Sequence, residues 1–144
     1  MVITDFYQKT VFLDTAPLIY FIEGHSEYQE KLMACFTAND NGDFTFITSS
    51  ITLLEVLVKP LRERKHRLVE QYKEILLNAS GILLAEVSND IAEGAAGLRA
   101  KYNLKTPDAI QVATALENQA DYFFTNDYRL AIIQEIKIVT FQDL

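Results

Sequence analysis

Five short runs of aliphatic, aromatic and β-branched residues punctuate the chain. They are Val11-Phe-Leu13, Phe44-Thr-Phe-Ile-Thr48, Ile82-Leu-Leu-Ala-Glu-Val87, Tyr122-Phe-Phe-Thr125 and Ile136-Lys-Ile-Val-Thr140. Most are nearly continuous in apolar residues rather than alternating, as strands covered on both faces are. Between the first four lie some 30 residues each, too many for hairpins and suited to helical crossovers between parallel strands.

The segments between the runs read as helices. Residues 28–39 and 62–78 are long and charged, and Pro60 is expected to break or kink the chain before the second. Ile91, Ala95, Leu98 and Tyr102 recur on one helical face. Thr106 and Pro107 read as the N-cap and first position of a helix reaching about Gln119. Its inner face is small (Ala109, Ala113 and Ala120, with Leu116), which suits close packing on a sheet. This alternation predicts an α/β fold: a three-layer sandwich with a central, mainly parallel sheet of about five strands covered by helices.

With 144 residues, 49% of them hydrophobic, the chain is expected to form one domain over 1–144 with a core that needs no staples. Charged residues at 23% exclude wholesale disorder, and the one cysteine, Cys35, excludes an internal disulfide and a thiolate metal cluster. Cys35 reads as an inward-facing helix residue. No apolar stretch is long enough to span a membrane, and Asp5 interrupts the start where a secretory segment would run. The expectation is a cytoplasmic protein with no membrane partner.

The net charge of −7 disfavours a general nucleic-acid binder. Its distribution is uneven, however: Lys59, Arg62, Arg64, Lys65 and Arg67 crowd together with His66. Such a run is either a solvated helix face or a local phosphate-binding patch.

In open α/β sheets, sites form beyond the carboxyl ends of the strands. Asp14 follows the first run, Glu55 lies about one turn into the helix after the second, Asp108 lies in the first turn after Thr106-Pro107, and Asp127 follows the fourth run. All four map to one edge. Asp14 suits the N-cap of a helical segment opening at Pro17, and Asp108 and Asp127 likewise suit a helix start for structural reasons alone. Glu55 is the charged residue of Ile51-Thr-Leu-Leu-Glu-Val-Leu-Val58, where a carboxylate on an apolar face is costly unless paired, by Lys59 or by a metal. Two carboxylates about 5 Å apart repel by roughly 3 kcal/mol at an effective dielectric near 20, so four ionised in one cleft require a cation. Oxygen-only donors select Mg²⁺ or Mn²⁺, and such ions serve phosphoryl chemistry.

Other chemistries find little support. The five glycines form no phosphate-binding loop, no GxSxG occurs, and His25 and His66 read as surface residues. Tyr20, Phe21, Tyr122, Phe123 and Phe124 read as core rather than base-stacking platforms.

Leu13-Asp-Thr-Ala-Pro-Leu-Ile-Tyr20, Ser49-Ser-Ile-Thr-Leu-Leu-Glu-Val56, Leu104-Lys-Thr-Pro-Asp-Ala-Ile-Gln-Val-Ala-Thr-Ala115 and Thr125-Asn-Asp127 resemble the PIN-domain nucleases, closest to their VapC-type toxin branch. Each segment alone is weak, but the set in this order and spacing is specific, and it extends from about Val11 to the C-terminus. The resemblance implies a metal-dependent endoribonuclease whose catalytic acids are Asp14, Glu55, Asp108 and Asp127. Asp14, Asp108 and Asp127 would hold Mg²⁺ or Mn²⁺, Glu55 would complete or position the site, and Thr125 and Thr15 would support the carboxylates. One departure is Ala16, where many members carry Asn or Ser.

In-line attack of water on the phosphorus would leave a 5′-phosphate and a 3′-hydroxyl. Arg62, Arg64, Lys65 and Arg67 become candidates for RNA contact. The implied partners are an RNA substrate, a small antitoxin and a second copy of the chain. A non-catalytic PIN-like interaction module and a metal-dependent small-molecule phosphatase remain alternatives. A dehalogenase-type phosphatase would want an acid at position 16, where alanine stands.

Overall fold

A computed structural model describes residues 1–24 and 27–144; the surface expectation for His25 falls outside the described residues. Among these residues the strands β1 (Thr10–Leu13), β2 (Thr45–Ser49), β3 (Ile82–Ala85), β4 (Tyr122–Phe124) and β5 (Lys137–Val139) form one sheet in the order β3-β2-β1-β4-β5. Every strand pairing is parallel, so the sheet is wholly rather than mainly parallel. The helices are α1 (Thr15–Glu23), α2 (Gln29–Asp40), α3 (Ser50–Arg62), α4 (His66–Asn78), α5 (Asn89–Tyr102) and α6 (Thr106–Glu117).

Side chains one residue apart on each strand feed opposite layers. Val11, Leu13, Phe46 and Phe124 pack with Leu18, Leu32, Phe36, Val56 and Tyr72 of α1 to α4. Phe12, Ile47 and Phe123 pack with Ile91, Ala95, Leu98, Ala109, Val112 and Ala113 of α5 and α6. Phe12 and Phe123 stack at 5.0 Å across the β1–β4 pair. The near-continuous apolar runs follow from this two-sided burial.

Three boundaries differ from expectation. Pro60 does not separate two helices; it lies buried in the last turn of α3, and the break comes at Glu63–Lys65, where Arg64 adopts a left-handed φ of 57°. Thr106 is the first residue of α6 rather than its cap, a place taken by Lys105 with no side-chain capping bond. Asp14 does cap a helix, but α1 opens at Thr15, with Pro17 accommodated in the first turn, where its missing N–H breaks no helical bond. No helix among the described residues is long and apolar enough to cross a membrane.

In this strand order the chain reverses direction of travel at β1, with β2 and β3 on one side and β4 and β5 on the other. The crevice beyond the carboxyl ends of β1 and β4 is therefore the switch point at which open parallel sheets place their sites.

Candidate active site

β1 ends at Leu13, and Asp14 is the first residue beyond it. Its N–H still donates to Phe124 O of β4 at 3.0 Å, so the ladder fixes the backbone on which the carboxylate stands. Oδ1 accepts from Thr15 N at 2.9 Å, closing the helix cap. Oδ2 accepts from Thr125 Oγ1 at 2.7 Å. The buried Gln111, on α6, directs Nε2 at Oδ1 from 3.4 Å. Burial pushes the Asp14 carboxyl above its ordinary value, against these three hydrogen bonds, and the charge of Glu55 adds to the rise.

Asp108 stands half-buried in the first turn of α6. Burial and then the charges of Asp14 and Asp127 raise its pKa, while Lys105 and Arg129 oppose the rise. Asp127 caps the 3₁₀ turn Tyr128–Ile132, not a full helix. Its two oxygens are held by Arg129: Nε donates to Oδ1 at 2.9 Å, NH2 donates to Oδ2 at 2.9 Å, and the backbone N–H adds a third bond at 3.0 Å. This clasp keeps the Asp127 carboxyl below the ordinary range.

Glu55 corrects a premise. It is exposed, as are Leu54 and Val58, so no desolvation penalty forces a partner upon it. What ties it to the site is Thr15, whose hydroxyl donates to Oε1 at 2.7 Å. The acids thus come from four separate elements and feel one another's charge.

Beneath the acids lies a buried polar chain that sequence reading missed. The Ser49 hydroxyl donates to Gln111 Oε1, and Gln111 Nε2 donates to Thr52 Oγ1 at 2.7 Å. Thr48 and Thr52 place their hydroxyls 2.8 Å apart, and Thr48 donates to Leu13 O at 2.7 Å. Gln111, Thr48, Ser49, Thr52 and Thr125 are all almost fully buried. Gln111 lies one helical turn after Asp108, and Thr52 one turn before Glu55. That spacing behind each acid, on helices otherwise apolar inside, is the signal that could have found them.

Among the described residues no three His, Cys, Asp or Glu side chains stand together as a ready metal cage. Both oxygens of Asp127 are engaged by Arg129. The donor chemistry nevertheless fits a hard divalent cation. Mg²⁺ keeps several waters and needs only one or two carboxylates together with substrate phosphate, rather than a closed cage. Burial is the first cause of the rise at both Asp14 and Asp108, and the charge of Glu55 on the first and of Asp14 and Asp127 on the second add to it; such an ion would relieve that added charge.

Arg62, Arg64, Lys65 and Arg67 are all exposed around the α3–α4 junction, and Lys65 pairs with Glu63 at 3.1 Å. None of the hydrogen bonds described around the acids involves them. His66 is exposed too. Phe123 and Phe124 are fully buried, and Tyr20, Phe21 and Tyr122 pack partly buried against the core, as expected.

The PIN domain family model matches residues 11–136. No curated protein matches the chain at a significant level. Among solved structures, a toxin–antitoxin complex from Klebsiella pneumoniae is 28% identical, covers 94% of this chain and 99% of its own, and superposes with a TM-score of 0.67. VapBC2 from Rickettsia felis, solved on a promoter DNA fragment, is 18% identical over 91% of this chain and 98% of its own, with a TM-score of 0.71. VapC20 of Mycobacterium tuberculosis, described as a sarcin-ricin loop cleaving toxin, is 18% identical over 88% and 98%, with a TM-score of 0.67.

Proposed function

Because the chain belongs to the PIN-domain family, matched over residues 11–136, we propose that it is a metal-dependent endoribonuclease and the toxin of a toxin–antitoxin pair. The observation that carries this reading is the convergence of Asp14, Glu55, Asp108 and Asp127 on the switch-point edge, with Asp14 and Asp108 held above the ordinary carboxylate range. Its neighbour in Klebsiella pneumoniae was solved as a toxin–antitoxin complex, which supports a small antitoxin as partner. The reading takes residues 1–144 as one catalytic domain, working on cytoplasmic RNA as a homodimer.

Asp14, Asp108 and Asp127 would hold Mg²⁺ or Mn²⁺. When bound, the ion supplies Lewis acidity to the scissile phosphate and to the attacking water. Thr125 and Gln111 keep the Asp14 oxygens pointed into the cleft, so little reorganisation is needed on binding. Glu55 is exposed and steadied by Thr15, which leaves it free to accept a proton from the water. The water oxygen bonds to phosphorus in line as the bond to the 3′ oxygen breaks. That oxygen takes a proton from solvent, leaving a 3′-hydroxyl and a 5′-phosphate.

Cleavage of end-labelled RNA by the purified chain, with Mn²⁺ or Mg²⁺ and with EDTA, tests the reading. Cuts that need the ion and vanish in Asp14→Asn and Asp108→Asn, both variants remaining folded, are the expected result. A folded wild-type chain that cuts no RNA with either ion would replace the nuclease by an interaction module.

A further inference from the structure

A hollow of about 210 Å³ opens beside two of the acids, walled by Leu104, Lys105, Asp108, Asp127, Arg129 and Leu130. Its frame is fixed. Asn103 takes a left-handed φ of 56° to end α5, and Arg99 Nε donates to Leu104 O at 2.8 Å, pinning the turn that leads into α6. Leu104 and Leu130 are buried, and the accessible apolar wall of the hollow is made by the exposed Ile132 and the partly buried Tyr102. Lys105 and Arg129 bring two cations to its rim, and both act on the carboxyls of Asp108 and Asp127.

Arg129 stands at the centre of this arrangement. It offers Asp127 two parallel N–H groups, a fork that fits two oxygens of a phosphate equally well. Its side chain is 70% exposed, so an incoming anion can reach it without unfolding anything. An apolar wall that includes an aromatic ring, with cations at the rim to offset the neighbouring carboxylates, suits an unstacked base and the phosphate attached to it. At about 210 Å³ the hollow has room for one base and not for a stack of them.

We infer that this hollow is a one-nucleotide subsite for single-stranded RNA, in which Lys105 and Arg129 hold the phosphate neighbouring the scissile one and Tyr102 and Ile132 receive its base. Arg129 exchanges Asp127 for that phosphate as RNA binds. The inference rests on the nuclease reading for its choice of ligand, but its test does not depend on cutting.

The full chain, with EDTA present, is titrated with adenosine 5′-monophosphate and followed by backbone amide shifts. Shifts should centre on residues 102–108 and 127–132. Lys105→Ala and Arg129→Ala should each weaken binding at least fivefold, and Arg129→Lys less. Asp127→Asn frees the arginine and should strengthen binding, while adding Arg129→Ala to it should abolish the gain. Lys73→Ala, on the exposed face of α4, should change nothing. Equal affinity for inorganic phosphate would overturn the base-binding half, and shifts centred on residues 62–67, or affinities indifferent to Lys105 and Arg129, would overturn the whole. A chain that binds the nucleotide here yet never cuts RNA refutes the nuclease reading alone. A chain that cuts RNA at the wild-type rate with both cations removed refutes the subsite alone.

Discussion

Thr125 Oγ1 lies 2.7 Å from Asp14 Oδ2, joining the ends of β4 and β1 across 111 residues of sequence. The same hydroxyl accepts the N–H of Asp127 at 3.1 Å. Its single proton is committed to Asp14, so one buried side chain fixes the orientation of one acid and the backbone of another.

Thr125→Val keeps the shape and removes both bonds. A hydrogen bond to a charged group is worth about 1.5–3 kcal/mol, so single-turnover RNA cleavage should slow roughly 10- to 100-fold. Thr125→Ser should retain most of the rate. A valine variant as fast as wild type would show that Asp14 needs no such tether.

Gln111→Leu should lower stability. It leaves the Ser49 hydroxyl without its acceptor and removes one of the two buried partners of Thr52, an expected cost of about 1–3 kcal/mol, visible as a lower urea midpoint at unchanged slope. Binding of Mn²⁺ should weaken as well, since Asp14 loses one of its donors.

Metal-free stability should rise when Asp14 becomes asparagine. The folded-state pKa of Asp14 lies above the ordinary 3.8, so the fold favours its protonated form. That contribution is complete below the unfolded value and is lost as pH rises through the folded one. Asp14→Asn escapes the loss. In EDTA near pH 7 it should melt a few degrees above wild type, with the gap closing as pH falls toward 3.8. Thermal melts across pH measure this, and a gap that widens in acid would reverse the assignment.

The exposed arginines at the α3–α4 junction give a salt test. If Arg62, Arg64 and Arg67 each neutralise a phosphate of single-stranded RNA, replacing all three with alanine should flatten the slope of log affinity against log salt by about 2. An unchanged slope would return them to a solvated helix face.

Cys35 should be inert in the native protein. Its thiol is buried and pushed up to about 12, leaving almost no thiolate near pH 8. Labelling by a thiol reagent should therefore follow the unfolding rate and become immediate in denaturant.

The layered fold was legible because burial on both faces writes itself into continuous apolar runs, as in Val11-Phe-Leu13 and Tyr122-Phe-Phe124. The acids were legible because each begins or closely follows an element at the strand ends. Glu55 entered the candidate set for a reason the structure removes: its apolar neighbours Ile51 and Val58 suggested a buried face, but spacing could not show that α3 is open to solvent at Leu54, Glu55 and Val58. Gln111 and Arg129 escaped because their importance comes from partners distant in the chain or from a rotamer, neither of which sequence spacing encodes. Pro60 misled because α3 carries it two residues short of its end, forgoing the bond from position 60 to Val56 O without stopping there.

The central position of β1 bears on when the molecule acquires its activity. Its pairing with β2 can form once the first third of the chain has been made, but its pairing with β4 waits for Tyr122–Phe124. Translation supplies Asp14 and Glu55 early and Thr125 and Asp127 almost last. A nascent chain on the ribosome, or one truncated before Asp127, therefore lacks a complete cleft. On the nuclease reading, the cell that makes this protein is shielded from it until synthesis is nearly finished.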